Sequence, residues 1–432
     1  MKRKTTRLIH PIQTKEHDRL PNFGAAKTPI YAASTYIFES AEAGAATFAL
    51  QQERPVEGEP APFNYARMGH PNLVQVEGQL VALEGRSVGP ISELPDEALA
   101  FESGMAAITT SLLALLKPGS MLAYTTPLYG GTRQFLKDFL EPWGIHCVPL
   151  RQSLLFSEPK IAQGPSLKEP PEHHPSEVSQ WANQISGEIG RIPDLLYIET
   201  PANPTNQIWS WESLRKLVEY WSVSGNKPVV MADNTYLGPC WQYPLEEGAD
   251  LVVYSATKSM GGHSDLICGT CVGDATLIRR IRPLRNKLGN TASPFTAWLL
   301  SRSLETVQIR MQVAQSNARF LAERLRQHPG VQNLAYPGSG AMISLWLNGG
   351  QDHCIAWKFL NQLRCIQQAV SLGSNESLAC HPASTTHSGV DPVERKEFRI
   401  SDNLVRLSVG LEDVEDLWED LQQALEHAFP QT

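Results

Sequence analysis

The feature that most constrains this chain is a recurring pattern of short apolar runs separated by helical stretches. MLAYTT (121–126), DLLYIET (194–200), PVVMADN (228–234) and DLVVYSAT (250–257) are rich in β-branched and aromatic residues. Each is shorter than an ordinary helix, and none alternates cleanly between polar and apolar residues. Runs of this kind fit strands buried on both faces, as in a parallel sheet. WESLRKLVEYW (211–221) lies between two of them and carries its apolar residues at helical spacing. Strands alternating with helices predict an α/β domain around a mostly parallel sheet.

Other stretches extend the pattern. LVQVEGQLVALEG (73–85) and SGMAAITTSLLALLKPG (103–119) read as helices, the second stopping at Pro118-Gly119. After about residue 308 the character changes. A long helical stretch, RMQVAQSNARFLAERLRQH (310–328), precedes strand-like ISLWL and VRLSVG and a final helix, DVEDLWEDLQQALEHAF (413–429). The expected organisation is an irregular N-terminal arm (1–62), a large domain (63–307) and a smaller α+β domain (308–432). QQERPVEGEPAP (51–62) is expected to be a solvated loop. Residues 151–190, with Pro-rich SLKEPPEHHPSEV, read as a surface insertion in the large domain.

Charge and cysteine usage narrow the function classes. With 37 Lys and Arg against 45 Asp and Glu, the net charge is −8. Nonspecific nucleic-acid binding needs basic stripes, so nucleic acid is not an expected partner. The 7 cysteines are scattered and odd in number, which argues against a disulfide framework and for a reducing, cytoplasmic setting. The basic start MKRKTTRLIH lacks the apolar run of a secretory signal, and no apolar stretch approaches the roughly 18 residues of a membrane span. Cys268-x-x-Cys271 has no second pair at zinc spacing and is expected to be core packing; no metal site is expected.

The chemistry concentrates where strands end. LVVYSATKSMGG delivers Ser255, Thr257 and Lys258, followed by Gly261 and Gly262. Ligands of open α/β sheets bind beyond the carboxyl ends of strands. Two hydroxyls spaced by two residues can face the same way and hold a phosphate, and a lysine beside them can form an imine with an aldehyde. A second strand ends at Asp233, where a carboxylate could keep a pyridinium nitrogen protonated.

These segments resemble, in order, those of the Cys/Met-metabolism PLP-dependent enzymes, the trans-sulfuration family. SATKSMGGHSD is similar to the family's lysine motif. NYARMGHPN, ESGMAAI, PLYGGT, YIETPANP, ADNTY, AVSLGSNESLACHPASTTHS and LVRLSVGLEDVEDL each have a counterpart, from about residue 20 to the end. The resemblance implies an aspartate aminotransferase-like PLP-dependent transferase fold (fold type I). It implies pyridoxal 5'-phosphate (PLP) carried by Lys258 as a Schiff base, with Lys258 then shuttling protons. It implies Asp233 at the pyridinium nitrogen and Tyr129 stacked on the ring as an acid or base. Gly104 and Met105 would offer backbone N–H groups to the phosphate, with the hydroxyls of Ser255 and Thr257. Tyr65 and Arg67 would reach that phosphate from a neighbouring subunit of a homodimer or homotetramer. Asn203 would lie near the ring and substrate carboxylate, Arg406 would clamp that carboxylate, and Ser371 would sit beside it.

The family includes cystathionine synthases and lyases, methionine γ-lyases and O-acetylhomoserine sulfhydrylases. Val370 before Ser371 resembles the last two groups, while Gly131 and RNKLG (285–289) depart from methionine γ-lyases. The expected activity is γ-elimination or γ-replacement on a methionine- or homoserine-type amino acid. The alternatives are a β-eliminating cystathionine or cysteine lyase and a catalytically silent regulatory protein of the same fold.

Overall fold

The computed structural model describes residues 4–9, 25–51, 63–84, 96–150, 187, 190–223, 225, 227–349 and 353–429. The expected loop after Gln51 and nearly all of the 151–190 insertion lie outside them. Among these described residues, twelve strands follow in chain order. They are β1 (Asp96–Phe101), β2 (Met121–Thr125), β3 (His146–Leu150), β4 (Leu195–Glu199), β5 (Val229–Asp233), β6 (Leu251–Ser255), β7 (Gly269–Asp274), β8 (Val331–Ala335), β9 (Met342–Leu347), β10 (Gln367–Gln368), β11 (Leu378–Cys380) and β12 (Leu404–Ser408).

The chain divides into two compact units. The first comprises the described residues up to Leu115 together with Ser255–Thr257 and Leu266–Glu305. Here β1 and β7 pair antiparallel, from Asp96 opposite Asp274 to Phe101 opposite Gly269. Helix Pro71–Glu84 buries Leu73, Val76, Leu80 and Leu83, the face that its apolar spacing marks out. Helix Gly104–Leu115 follows β1, and Ser103 caps it by accepting from the Ala106 N–H at 3.1 Å. Helix Ala275–Leu288 is capped by Asp274 and ends on Gly289 at φ 79°, a left-handed conformation that glycine takes without penalty. Cys268 and Cys271 are fully buried, as packing residues would be.

The second unit carries the parallel strands in the order β6-β5-β4-β2-β3. It holds three of the four short apolar runs whole and the fourth up to Tyr254, and every residue of β4 is buried. The pairing of β4 with β5 sets Leu195 against Val229 and Glu199 against Asp233, so both strands end at the same level. Helix Trp211–Val223 connects them and buries Leu214, Leu217, Val218 and Trp221. The same unit holds a second sheet, β10-β11-β12-β9-β8, antiparallel except for the β10–β11 pair. Helices Val307–Gln327, His353–Leu360 and Val414–Ala428 cover it through a core that includes Leu321, Leu325, Leu345, Phe359, Leu407 and Leu421. Asp413 caps the last helix, with Glu415 and Asp416 in its first turn, where the helix dipole favours acids. No described helix is long and apolar enough to cross a membrane.

Candidate active site

In the second unit, Lys258 leaves the end of β6 half-buried, and its Nζ donates to the Ser371 Oγ at 2.9 Å. Burial, and then the positive charge of Arg406, push the lysine below its usual range. Both effects disfavour the ammonium and leave a larger share of neutral amine, the form that attacks an aldehyde or takes a proton. Arg406, on β12, is 2 % exposed. Its two terminal nitrogens donate to the Asn203 Oδ1 and to the Ser371 carbonyl, both at 2.9 Å. The Nε–H is buried and meets no acceptor among the described residues. Lys258, Ser371, Arg406 and Asn203 therefore form one hydrogen-bonded chain.

Asp233 closes β5. Its Oδ1 accepts from the Thr235 N–H at 2.9 Å and its Oδ2 from the Tyr197 hydroxyl at 3.2 Å. Burial pushes its carboxyl up, and these donors pull the other way. Tyr129 stands immediately before the short helix Gly130–Phe135, and its backbone N–H donates to the Glu199 Oε2 at 2.8 Å. Tyr129 is 41 % exposed.

In the first unit, the N–H groups of Gly104 and Met105 belong to the opening turn of their helix and have no intrahelical acceptor. A Cβ on Gly104 would stand 2.7 Å from the Ser255 Cβ and 2.9 Å from its Cα, so only glycine lets the helix start press against Ser255. Thr257 is engaged differently from what its spacing suggested. Its Oγ1 donates to the Cys268 carbonyl at 3.2 Å and accepts from the Cys268 N–H at 3.0 Å, tying the strand end to the chain before β7. Tyr65 is 45 % exposed, the Arg67 guanidinium lies 5.5 Å from its ring centroid, and the Arg67 Nη1 donates to the Asn286 carbonyl at 2.5 Å.

Three residues of the second unit were not singled out in the sequence. Glu199 is buried beside Asp233. His387, 1 % exposed, is held near 4 by burial and then by the Arg406 charge, so it is neutral at physiological pH. Arg310 donates to the carbonyls of Ser259 and Met260 at 2.9 and 3.1 Å and braces the turn just after Lys258. The only signal for Glu199 was its place at the end of YIET, level with Asp233. His387 and Arg310 belong to long polar-containing stretches that mark neither. Among the described residues, no group of three or more His, Cys, Asp and Glu side chains stands together as metal ligands.

The model of the Cys/Met metabolism PLP-dependent enzyme family matches residues 5–157 and 173–426. The chain is 36 % identical over 438 residues to the L-methionine gamma-lyase of Pseudomonas putida, spanning 97 % of this chain and 96 % of that protein. It is 34 % identical over 400 residues to the cystathionine gamma-lyase of Sus scrofa, spanning 88 % and 87 %. The crystal structure of cystathionine gamma synthase from Xanthomonas oryzae pv. oryzae in complex with aminoacrylate and cysteine superposes with a TM-score of 0.78 at 30 % identity, over 99 % of both chains.

Proposed function

The chain belongs to the Cys/Met metabolism PLP-dependent enzyme family, and from that premise we propose that it catalyses γ-elimination or γ-replacement on a methionine- or homoserine-type amino acid. Its α/β architecture is that of the fold type I PLP-dependent enzymes. The observation that carries the reading is the chain of contacts from Lys258 through Ser371 to Arg406 and Asn203. It sets an amine with a depressed pKa beside a guanidinium that keeps a buried donor free.

The residues present fit the cofactor. Lys258 would hold its aldehyde, Asp233 its pyridinium nitrogen, and Tyr129 its ring face. The helix start at Gly104 and Met105, pressed against Ser255, supplies backbone donors suited to a phosphate. Thr257 contributes by fixing the strand end two residues after Ser255. When bound, PLP supplies an electron sink for the negative charge that develops at Cα.

The remaining steps belong to the chain's own side chains. Arg406 pairs with the substrate carboxylate, its planar fork matching the two oxygens, and Asn203 holds that fork in place. Lys258, in its neutral form, takes the Cα proton at Nζ. Lys258 Nζ, once it has given up that first proton, takes a second from Cβ, and the group on Cγ departs with its bonding electrons. Tyr129 protonates the departing atom through its hydroxyl. Val370, 57 % exposed beside Ser371, offers an apolar surface to a thioether or acyl chain. Tyr65 and Arg67, exposed on the first unit, fit a reach toward the phosphate of a second copy in a homodimer or homotetramer.

A substrate panel tests the reading. Methionine, O-acetylhomoserine, cystathionine and cysteine are each supplied with and without an added thiol. The expected product from the four-carbon substrates is 2-oxobutanoate, or the thioether when the thiol is present. Pyruvate alone, formed by β-elimination, overturns it. Failure of the purified protein to gain visible absorbance with PLP would favour a silent regulatory protein.

A further inference from the structure

Glu199 takes no part in the steps above, yet it is 5 % exposed at the end of β4, level with Asp233. Side chains two apart on a strand share a face, so Tyr197 and Glu199 point the same way, and the parallel register brings Asp233 onto that face. Two carboxyl groups thus share a buried sheet end. They differ in what they hold. Asp233 accepts from Thr235 and Tyr197. Glu199 accepts from the Tyr129 N–H at 2.8 Å through Oε2 and is also engaged by the Tyr197 hydroxyl, and its Oε1 is buried without a partner among the described residues. Its main chain is fixed as well: the Glu199 N–H donates to the Thr125 Oγ1 at 2.9 Å, across to β2.

We propose that Glu199 is a positioning residue, whose carboxyl group, set against Asp233, anchors the backbone N–H of Tyr129 and so determines where the Tyr129 hydroxyl stands. The inference rests on the reading of Tyr129 given above. Two carboxylates in one buried site do not both ionise, and the charge goes to the one with more donors. Burial, and then the charge of Asp233, push Glu199 well above its usual range. The other titratable neighbour on this face is Tyr197, itself raised far by burial and by the same two carboxyls. Glu199 therefore serves as an uncharged acceptor, and Asp233 is left as the anion of the pair.

Three variants test this. Glu199→Ala removes the acceptor and lowers kcat at least about tenfold, with a smaller change in KM, because the group displaced acts on the leaving atom and not on the substrate carboxylate. Glu199→Gln keeps a neutral acceptor at the same reach and recovers kcat to within about threefold, with the wild-type pH profile. Glu199→Asp falls short of the Tyr129 N–H and does not recover it. A second readout uses the apoprotein and needs no catalysis. A carboxyl whose folded pKa is raised stabilises fully below its unfolded value, about 4.3, and loses that stability as pH rises through the folded value. Glu199→Gln lacks this loss, so its apoprotein melts at or above wild type at neutral pH, and the gap narrows on acidification. Recovery by Asp and not by Gln, or a Gln variant that melts lower at neutral pH, overturns the inference while leaving the enzyme reading intact. A wild-type protein that binds no PLP overturns the reading itself.

Discussion

Ser371 meets Lys258 and Arg406 at once: its hydroxyl accepts from the lysine Nζ, and its carbonyl accepts from the Arg406 Nη2, both at 2.9 Å. One residue therefore couples the amine to the guanidinium. Ser371→Ala removes the side-chain acceptor at the Lys258 Nζ. It disfavours the ammonium further, so the amine of the apoprotein reacts with acylating reagents at lower pH than in wild type. A hydrogen bond to a charged group contributes about 1.5–3 kcal/mol, and turnover is expected to fall roughly tenfold. Unchanged pH dependence of acylation would show that the contact carries no weight.

Lys258→Met removes the base and the attachment point together. Turnover falls by about 10²–10⁴ or more, the scale of a lost general base. The apoprotein responds in the opposite sense. Burial lowers the lysine in the folded state, so the unfolded chain binds more protons between the two values and wild-type stability rises with pH across that window. The penalty is complete below the folded value and vanishes above the ordinary one, about 10.4. The Met variant should melt higher than wild type at neutral pH, with the difference shrinking as pH rises. Calorimetry across pH checks the slope.

Arg406→Lys keeps the charge and loses the fork. A single ammonium cannot reproduce the two-nitrogen spacing that reaches Asn203 and Ser371 at once. The expected effect is a fall of about 10²-fold in kcat/KM, most of it in KM, because the carboxylate is held alike in the ground and transition states. Steady-state kinetics separates the two terms, and a loss confined to kcat would move Arg406 away from substrate binding.

Gly104→Ala forces a methyl to within 2.7 Å of the Ser255 Cβ. The helix start or the end of β6 has to move, at a cost of about 1–3 kcal/mol. PLP affinity should weaken about tenfold or more in an absorbance titration, with a smaller effect on kcat once the protein is saturated. Unaltered affinity would place the phosphate elsewhere.

Much of this architecture was legible in the sequence because buried parallel strands are uninterrupted in their apolar character. MLAYTT, DLLYIET, PVVMADN and DLVVYSAT became β2, β4, β5 and β6, and Asp233 closes its strand as its position suggested. The strands β1 and β7 were harder to see. DEALAF opens with two acids and GTCVGD begins and nearly ends with glycine, so neither announces a strand until the two pair antiparallel. The hydroxyl of Thr257 was read from spacing and from the family resemblance, and neither shows that the Cys268 backbone is close enough to engage it. Glu199 escaped notice for a related reason. A glutamate in a strand reads as polar, and only the register with Asp233 reveals a buried carboxyl pair.

The most direct test is reduction of the PLP-loaded protein with borohydride, followed by digestion and mass spectrometry. The expected result is a single pyridoxyl-phosphate label, on the peptide containing Lys258, with loss of the visible band and of 2-oxobutanoate formation. A label on another lysine, or no label while activity persists, would contradict the assignment of Lys258.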